Sequence, residues 1–245
     1  MFVYLGQTMT GRVDRCGSGF IGTMFFHIYF IPIAPMGSRA VIRQLANGHY
    51  QGIPLGIHGR SLLLGYARVW LFIAGLGLVA LALSAAARGS SLLALPCLIA
   101  AAGAVVLGVL SNTRFGRLTV DEKAMRFVYQ DWVGAAVDPG VLPRAYREEL
   151  KRSLHGFLES SGQKLVGYRS VVSRAPTDQE LLELAVHRFT EDTPYLAAAL
   201  TLARLEEVSA KGDASQALRD RHHDIWEKLK RLDPRCVHWA QADRG

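Results

Sequence analysis

The sequence predicts a membrane α-helical hairpin flanked by a small N-terminal β module and a C-terminal all-α domain. Three observations carry this. Val69–Ala87 and Leu92–Leu110 are two long apolar runs without a single Asp, Glu, Lys, Arg or His. Only Arg88-Gly89-Ser90-Ser91 separates them. The flanks differ in pattern: before the runs, short apolar stretches alternate with glycine and proline, and after them the apolar residues recur at helical spacing. The expected domains are 1–60 (β-rich, membrane-proximal), 61–111 (two-helix transmembrane hairpin) and 112–245 (helical).

The runs come first because a bilayer core of about 30 Å needs roughly 20 apolar helical residues. Within lipid each helix must also satisfy its own backbone hydrogen bonds. Small residues recur along them, with Ala80 and Ser84 in the first and Ala100, Ala104 and Gly108 in the second. Such residues let helices approach closely, so they are the expected packing face of the hairpin, with docking of a partner helix as the alternative. Pro96 either kinks the second span or sits in its first turn. No charge lies inside either run, which argues against a transporter, a proton relay or a single-copy ion channel.

Charge sets the orientation. The net charge is +7, and residues 1–68 hold six arginines against Asp14 alone. The basic surplus thus lies beside the first run, where it suits anionic headgroups; no RNA-binding signature accompanies it. The partners expected are the lipid bilayer, anionic lipid headgroups at the N-terminal module and protein partners within the membrane, and no nucleic acid. Arg60 and Arg68 precede the first run; Arg114, Arg117, Lys123 and Arg126 follow the second; Arg88 alone marks the loop. Cytoplasmic flanks carry the arginine and lysine excess, so both termini are expected in the cytoplasm of a bacterial inner membrane. The N-terminus lacks a signal-peptide pattern, making the first span an uncleaved anchor. Tyr66 and Trp70 belong to the aromatic belt, with Arg60 and Arg68 reaching toward water.

The first 58 residues read as strands at Phe2–Leu5, Phe20–Ile33, Ala40–Ile42 and Ile53–Ile57. Phe25–Pro35 is too short and proline-rich for a span; it is a packed strand or an interfacial segment. Ser61 is the expected cap of the helix that enters the membrane. Beyond the hairpin, Thr119 with Glu122 and Thr177 with Glu180 have capping-box spacing. Asp138-Pro139-Gly140 breaks the chain, Pro143 opens a helix that Gly162 ends, and residues 163–175 fit a helix or a strand equally. Thr193 with Pro194 opens the next helix, and Asp213 with Gln216 the last, which Pro234 stops.

Chemistry is sparse. Cys16, Cys97 and Cys236 are too scattered for a disulfide framework or a zinc knuckle. Glu183 and His187 are one helical turn apart and His222 follows later, but further ligands for a closed zinc site are missing. Asp14, Cys16 and His27 include no nucleophile motif. No catalytic residue, cofactor or metal site is therefore expected.

Gly11-Arg12-Val13-Asp14, followed by Thr23–His27 and Phe30-Ile31-Pro32-Ile33-Ala34-Pro35, resembles the start of a group of bacterial membrane proteins. Those place a GKVD-like strand and an FFHxxFxPxxP run before a transmembrane hairpin. The segment is similar too to a zinc-ribbon module stripped of its cysteine pairs, which implies a metal-free β module. The resulting expectation is a non-enzymatic membrane protein serving as a structural or accessory subunit or scaffold. A homo-oligomeric channel or membrane-remodelling protein is the alternative.

Overall fold

Among the described residues, two helices are long and apolar enough to cross a membrane, and they directly follow a four-stranded sheet. The computed structural model describes residues 5–17, 19–29, 31–44, 50–113, 117–166, 176–187 and 192–237. Phe2, Phe30, Arg114 and residues 167–175, all used in the sequence reading, lie outside these ranges.

Strands β1 (Leu5–Cys16), β2 (Gly19–Ile28), β3 (Ile31–Gln44) and β4 (Tyr50–Leu55) pair in sequence order. β2 and β3 are antiparallel, from Phe20 opposite Val41 to Ile28 opposite Ile31. Phe25–Pro35 is therefore not one strand: the chain reverses at Tyr29, whose φ of 58° is the left-handed conformation of a tight turn. The sequence hides this turn because it lies inside an unbroken apolar run, with no Asn-Gly or Asp-Gly to mark it. Register shifts follow Met24 and Phe26. There β3 brings in Pro32 and Pro35, which have no N–H to give to the ladder.

The long helices are α1 (Gly59–Ala87) and α2 (Ser91–Thr113). Their loop turns on Gly89 (φ 73°), while the N–H groups of Arg88, Gly89 and Ser90 bond back to the last carbonyls of α1. A left-handed residue with back-bonding satisfies carbonyls that a helix end otherwise leaves open. Pro96 lies inside α2 rather than in its first turn.

Five helices follow: α3 (Val120–Val133), α4 (Arg144–Val166), α5 (Asp178–His187), α6 (Thr193–Ser209) and α7 (Asp213–Leu232). The Thr119–Glu122 box caps α3 in both directions, and Thr177 and Glu180 exchange the same bonds ahead of α5. Asp138 opens a single 3-10 turn, Pro139–Val141, accepting from the Gly140 N–H at 2.8 Å. Three boundaries differ from expectation. α4 runs past Gly162 to Val166, the N-cap of α6 is Asp192 rather than Thr193, and α7 starts after Gly212 without a side-chain cap. The core of this region surrounds α6, where Tyr195, Leu196, Ala198, Ala199, Leu200, Leu202 and Ala203 are fully buried. Leu154 and Leu158 of α4, Leu181 and Leu182 of α5, and Ile225 and Leu229 of α7 close over it.

By contact density the chain forms two compact units. One comprises Met1–Arg15, Phe20–Val41 and Pro54–Arg117; the other comprises Cys16–Gly19, Ile42–Ile53 and Leu118–Gly245. Most of the sheet and both long helices thus belong to a single unit.

Candidate functional site

The junction of sheet and helix is built first by Ser61. It lies in the first turn of α1 but is not the cap; His58 is, its ring accepting from the Ser61 N–H. The freed Ser61 hydroxyl donates to the Gly11 carbonyl at 2.7 Å and accepts from Thr23 at 2.8 Å. Thr23 also meets Ser38 at 2.8 Å, and Ser38 accepts the His58 N–H. Thr23, Ser38 and Ser61 are buried, so these mutual bonds remove a desolvation cost of roughly 1–3 kcal/mol per orphaned group. Gly11 admits no side chain: its φ is +65°, and a Cβ there would sit 1.9 Å from the Ser61 carbonyl oxygen.

One turn further, Gly65 packs on Phe25, whose ring meets Tyr66 edge-on at 5.0 Å. The Tyr66 hydroxyl donates to the Ile33 carbonyl at 3.0 Å. Of the four residues expected at the membrane interface, Tyr66 therefore ties helix to strand, while Trp70 is exposed. Arg60 pairs with Asp14 at 3.4 Å. Arg68 is half-buried, and its guanidinium donates to the Ser111 carbonyl at 2.9 Å, joining the outer ends of α1 and α2.

Seven residues along each helix from that bond, Gly75 meets Ala104 (3.8 Å from the Cβ a side chain would add). Equal steps in opposite directions are what two antiparallel helices side by side require. The buried face thus comprises Gly75, Ala82 and Ala85 on α1 and Ala101 and Ala104 on α2. Of the five small residues marked in the sequence, Ala104 lies on it, Ala80 and Ala100 are exposed, and Ser84 and Gly108 are half-buried. Gly108 faces open space. An all-apolar helix carries no polar residue to mark its rotation, so the spacing gave the right residue type and an ambiguous face.

In the other unit the polar chemistry is internal. Arg204 of α6 grips Asp138 with two nitrogens, at 3.0 and 2.6 Å, and reaches Glu207 at 2.8 Å. Burial by itself raises the Asp138 carboxyl; the Arg204 hydrogen bonds and charge outweigh it and hold the group below the usual carboxylate range. Tyr129 of α3 and His222 of α7 share a 2.7 Å hydrogen bond. Burial, then the nearby Arg204 charge, lowers His222 to about 4. Tyr129 is raised by burial and by Asp138. Lys151 is held above its ordinary value against burial by hydrogen bonds to Glu206 and Asp178, and Asp178 also takes His155 at 2.6 Å. Nothing local in the sequence announces these partners, since Asp138 and Arg204 are 66 residues apart and Tyr129 and His222 are 93 apart.

Glu183 and His222, weighed as zinc ligands and set aside, have other partners. His222 bonds Tyr129, Glu183 pairs with Arg221 at 3.0 Å, and no metal-binding group of three occurs among the described residues. His27 is buried, its ring within bonding distance of Thr8 and of the Phe25 carbonyl. Cys16, Cys97 and Cys236 form no disulfide with one another. The largely apolar pocket in this unit, about 280 Å³, is lined by Phe127, Trp132, Pro194, Leu229 and Cys236 among others. The arrangement can hold helices together and present apolar surface; Asp138, Arg204, Glu207, Lys151 and Asp178 are engaged in ion pairs with neighbouring side chains. Comparison with protein-family models, curated proteins and solved structures finds no match to this chain.

Proposed function

We propose that the chain is a two-span integral membrane protein of non-enzymatic character, a structural or accessory subunit that anchors a helical domain at the bilayer. One observation carries the reading. Only 17% of the apolar window of α1 and 6% of that of α2 is buried within the molecule. A core helix of a water-soluble protein is covered by its neighbours, and a patch of this extent marks an interaction or membrane surface. Leu92, Leu93, Leu95, Ile99, Val105 and Val106 all point outward, which suits lipid on every side not taken by α1.

Arg60 and Arg117 flank the pair and Arg88 alone lies in the loop; the counting rule then supports both flanks in the cytoplasm of a bacterial inner membrane. The half-buried pair of Arg204 with Asp138 ties α6 to the 3-10 turn, a packing role that supports a scaffold over an enzyme. The test is purification in mild detergent with mass determination, together with reporter fusions near positions 5, 89 and 240. Resistance to alkaline extraction, a loop opposite both termini and a complex with unlike chains are expected. Release into the aqueous wash overturns the membrane reading, and a closed ring of identical copies replaces the subunit by a channel.

A further inference from the structure

Granting that α1 and α2 span a bilayer, we infer that the β2–β3 hairpin is a second membrane contact, its tip dipping into the leaflet that α1 enters. The direction of the strands relative to α1 carries this. Ser61 meets Thr23, and Gly65 meets Phe25. Two strand residues advance about 6.6 Å and four helix residues about 6 Å, so β2 runs alongside α1 toward its apolar run. β3 runs back on the other side, with Ser38 near Ser61's partner Thr23 and Ile33 bonded to Tyr66. From Phe25 to Tyr29 the strand gains about 13 Å more, or about 9 Å if it tilts by 45°, equal to roughly six residues of helix. That carries the tip past Val69, where the uncharged run begins.

The chemistry of the hairpin fits that depth. From Cys16 to Ser38 there is no Asp, Glu, Lys or Arg, and Arg15 and Arg39, at its base, are both exposed. Near the tip, Tyr29 is 41% exposed and Ile33 50%, so large apolar side chains reach the surface there. The one ionisable ring, His27, is turned inward against Thr8. Exposed Trp70 belongs to the same level on α1. A hairpin has open strand edges, which are not tolerated in the hydrocarbon core, so the tip stops among headgroups and upper acyl carbons, the zone that tyrosine and tryptophan prefer.

The experiment places a photoreactive benzophenone side chain at position 29, 33, 39 or 76 of the full chain. Position 76 lies on the exposed side of α1. Each variant is reconstituted in vesicles of phosphatidylethanolamine and phosphatidylglycerol in equal parts, illuminated and read by mass; protease resistance checks that each is folded. Lipid adducts at 29, 33 and 76, several-fold above those at 39, are expected. Adducts at 76 alone, or protein instead of lipid captured at 29 and 33, overturn the hairpin contact and leave the spans standing. Equal yields at 39 and 29 overturn the tip-first orientation. An absence of lipid adducts at all four positions overturns the membrane reading itself.

Discussion

Helices α2 and α6 are both apolar and differ in where their side chains go. Along α6, Leu196, Leu200 and Leu202 are fully buried; along α2, Leu92, Leu95 and Ile99 are largely exposed. What differs is the company each keeps. α6 is 17 residues long, about 26 Å, and is flanked by amphipathic helices such as α7 that can turn an apolar stripe toward it. Among the described residues α2 packs chiefly on α1, which is itself strongly apolar. An apolar helix is thus buried or left exposed according to whether the same chain also supplies amphipathic cover.

Lysine substitution breaks this comparison most forcefully. Leu200→Lys places an unpaired charge in a closed core and should cost more than about 4 kcal/mol, read as loss of protease resistance of the C-terminal unit. Val105→Lys on α2 should leave that unit intact but lower membrane insertion by about 2.5–3.5 kcal/mol. If Val105→Lys inserts like wild type, α2 does not meet lipid and the contrast fails.

The sheet–helix junction should be nearly as intolerant as the core. Gly11→Ala combines a left-handed backbone with a clash against the Ser61 carbonyl and is expected to cost about 2–4 kcal/mol, measured as a lowered melting temperature in detergent. A neutral result would mean that β1 and α1 are not locked together.

Acid should act on the C-terminal unit. His222 titrates near 4 in the folded chain against about 6.5 unfolded, so below pH 6.5 the unfolded state binds more protons. Its contribution is complete above pH 6.5 and is lost as pH falls toward 4, a loss of about 2–3 kcal/mol in the C-terminal unit. His222→Gln should flatten that part of the pH profile; an unchanged slope would show that other groups set it.

The smallest effects belong to the hairpin's own contact. Gly75→Leu should overpack against Ala104 and Val105 by about 1–3 kcal/mol, whereas Gly108→Leu, facing open space, should be close to neutral. Hairpin stability can be read by thermal aggregation in detergent. Equal behaviour of the two variants would put the contact on another face.

What the sequence determined by itself was local or compositional. The uncharged runs located both long helices, Thr119 with Glu122 and Thr177 with Glu180 located two helix starts, and Pro234 marked where α7 had ended. Such signals act within about four residues of backbone, and one strand of text contains them completely. The tertiary structure decided what depends on a distant partner. It took Ser61 from its expected capping role because Gly11, 50 residues away, needed a donor. It turned the chain at Tyr29 inside an apolar run, and rotated α2 so that Ala101 and Ala104 rather than Ala100 face α1. It joined Asp138 to Arg204 and Tyr129 to His222. In each case several local arrangements are nearly equal in free energy, and only packing and hydrogen bonding between distant segments separate them.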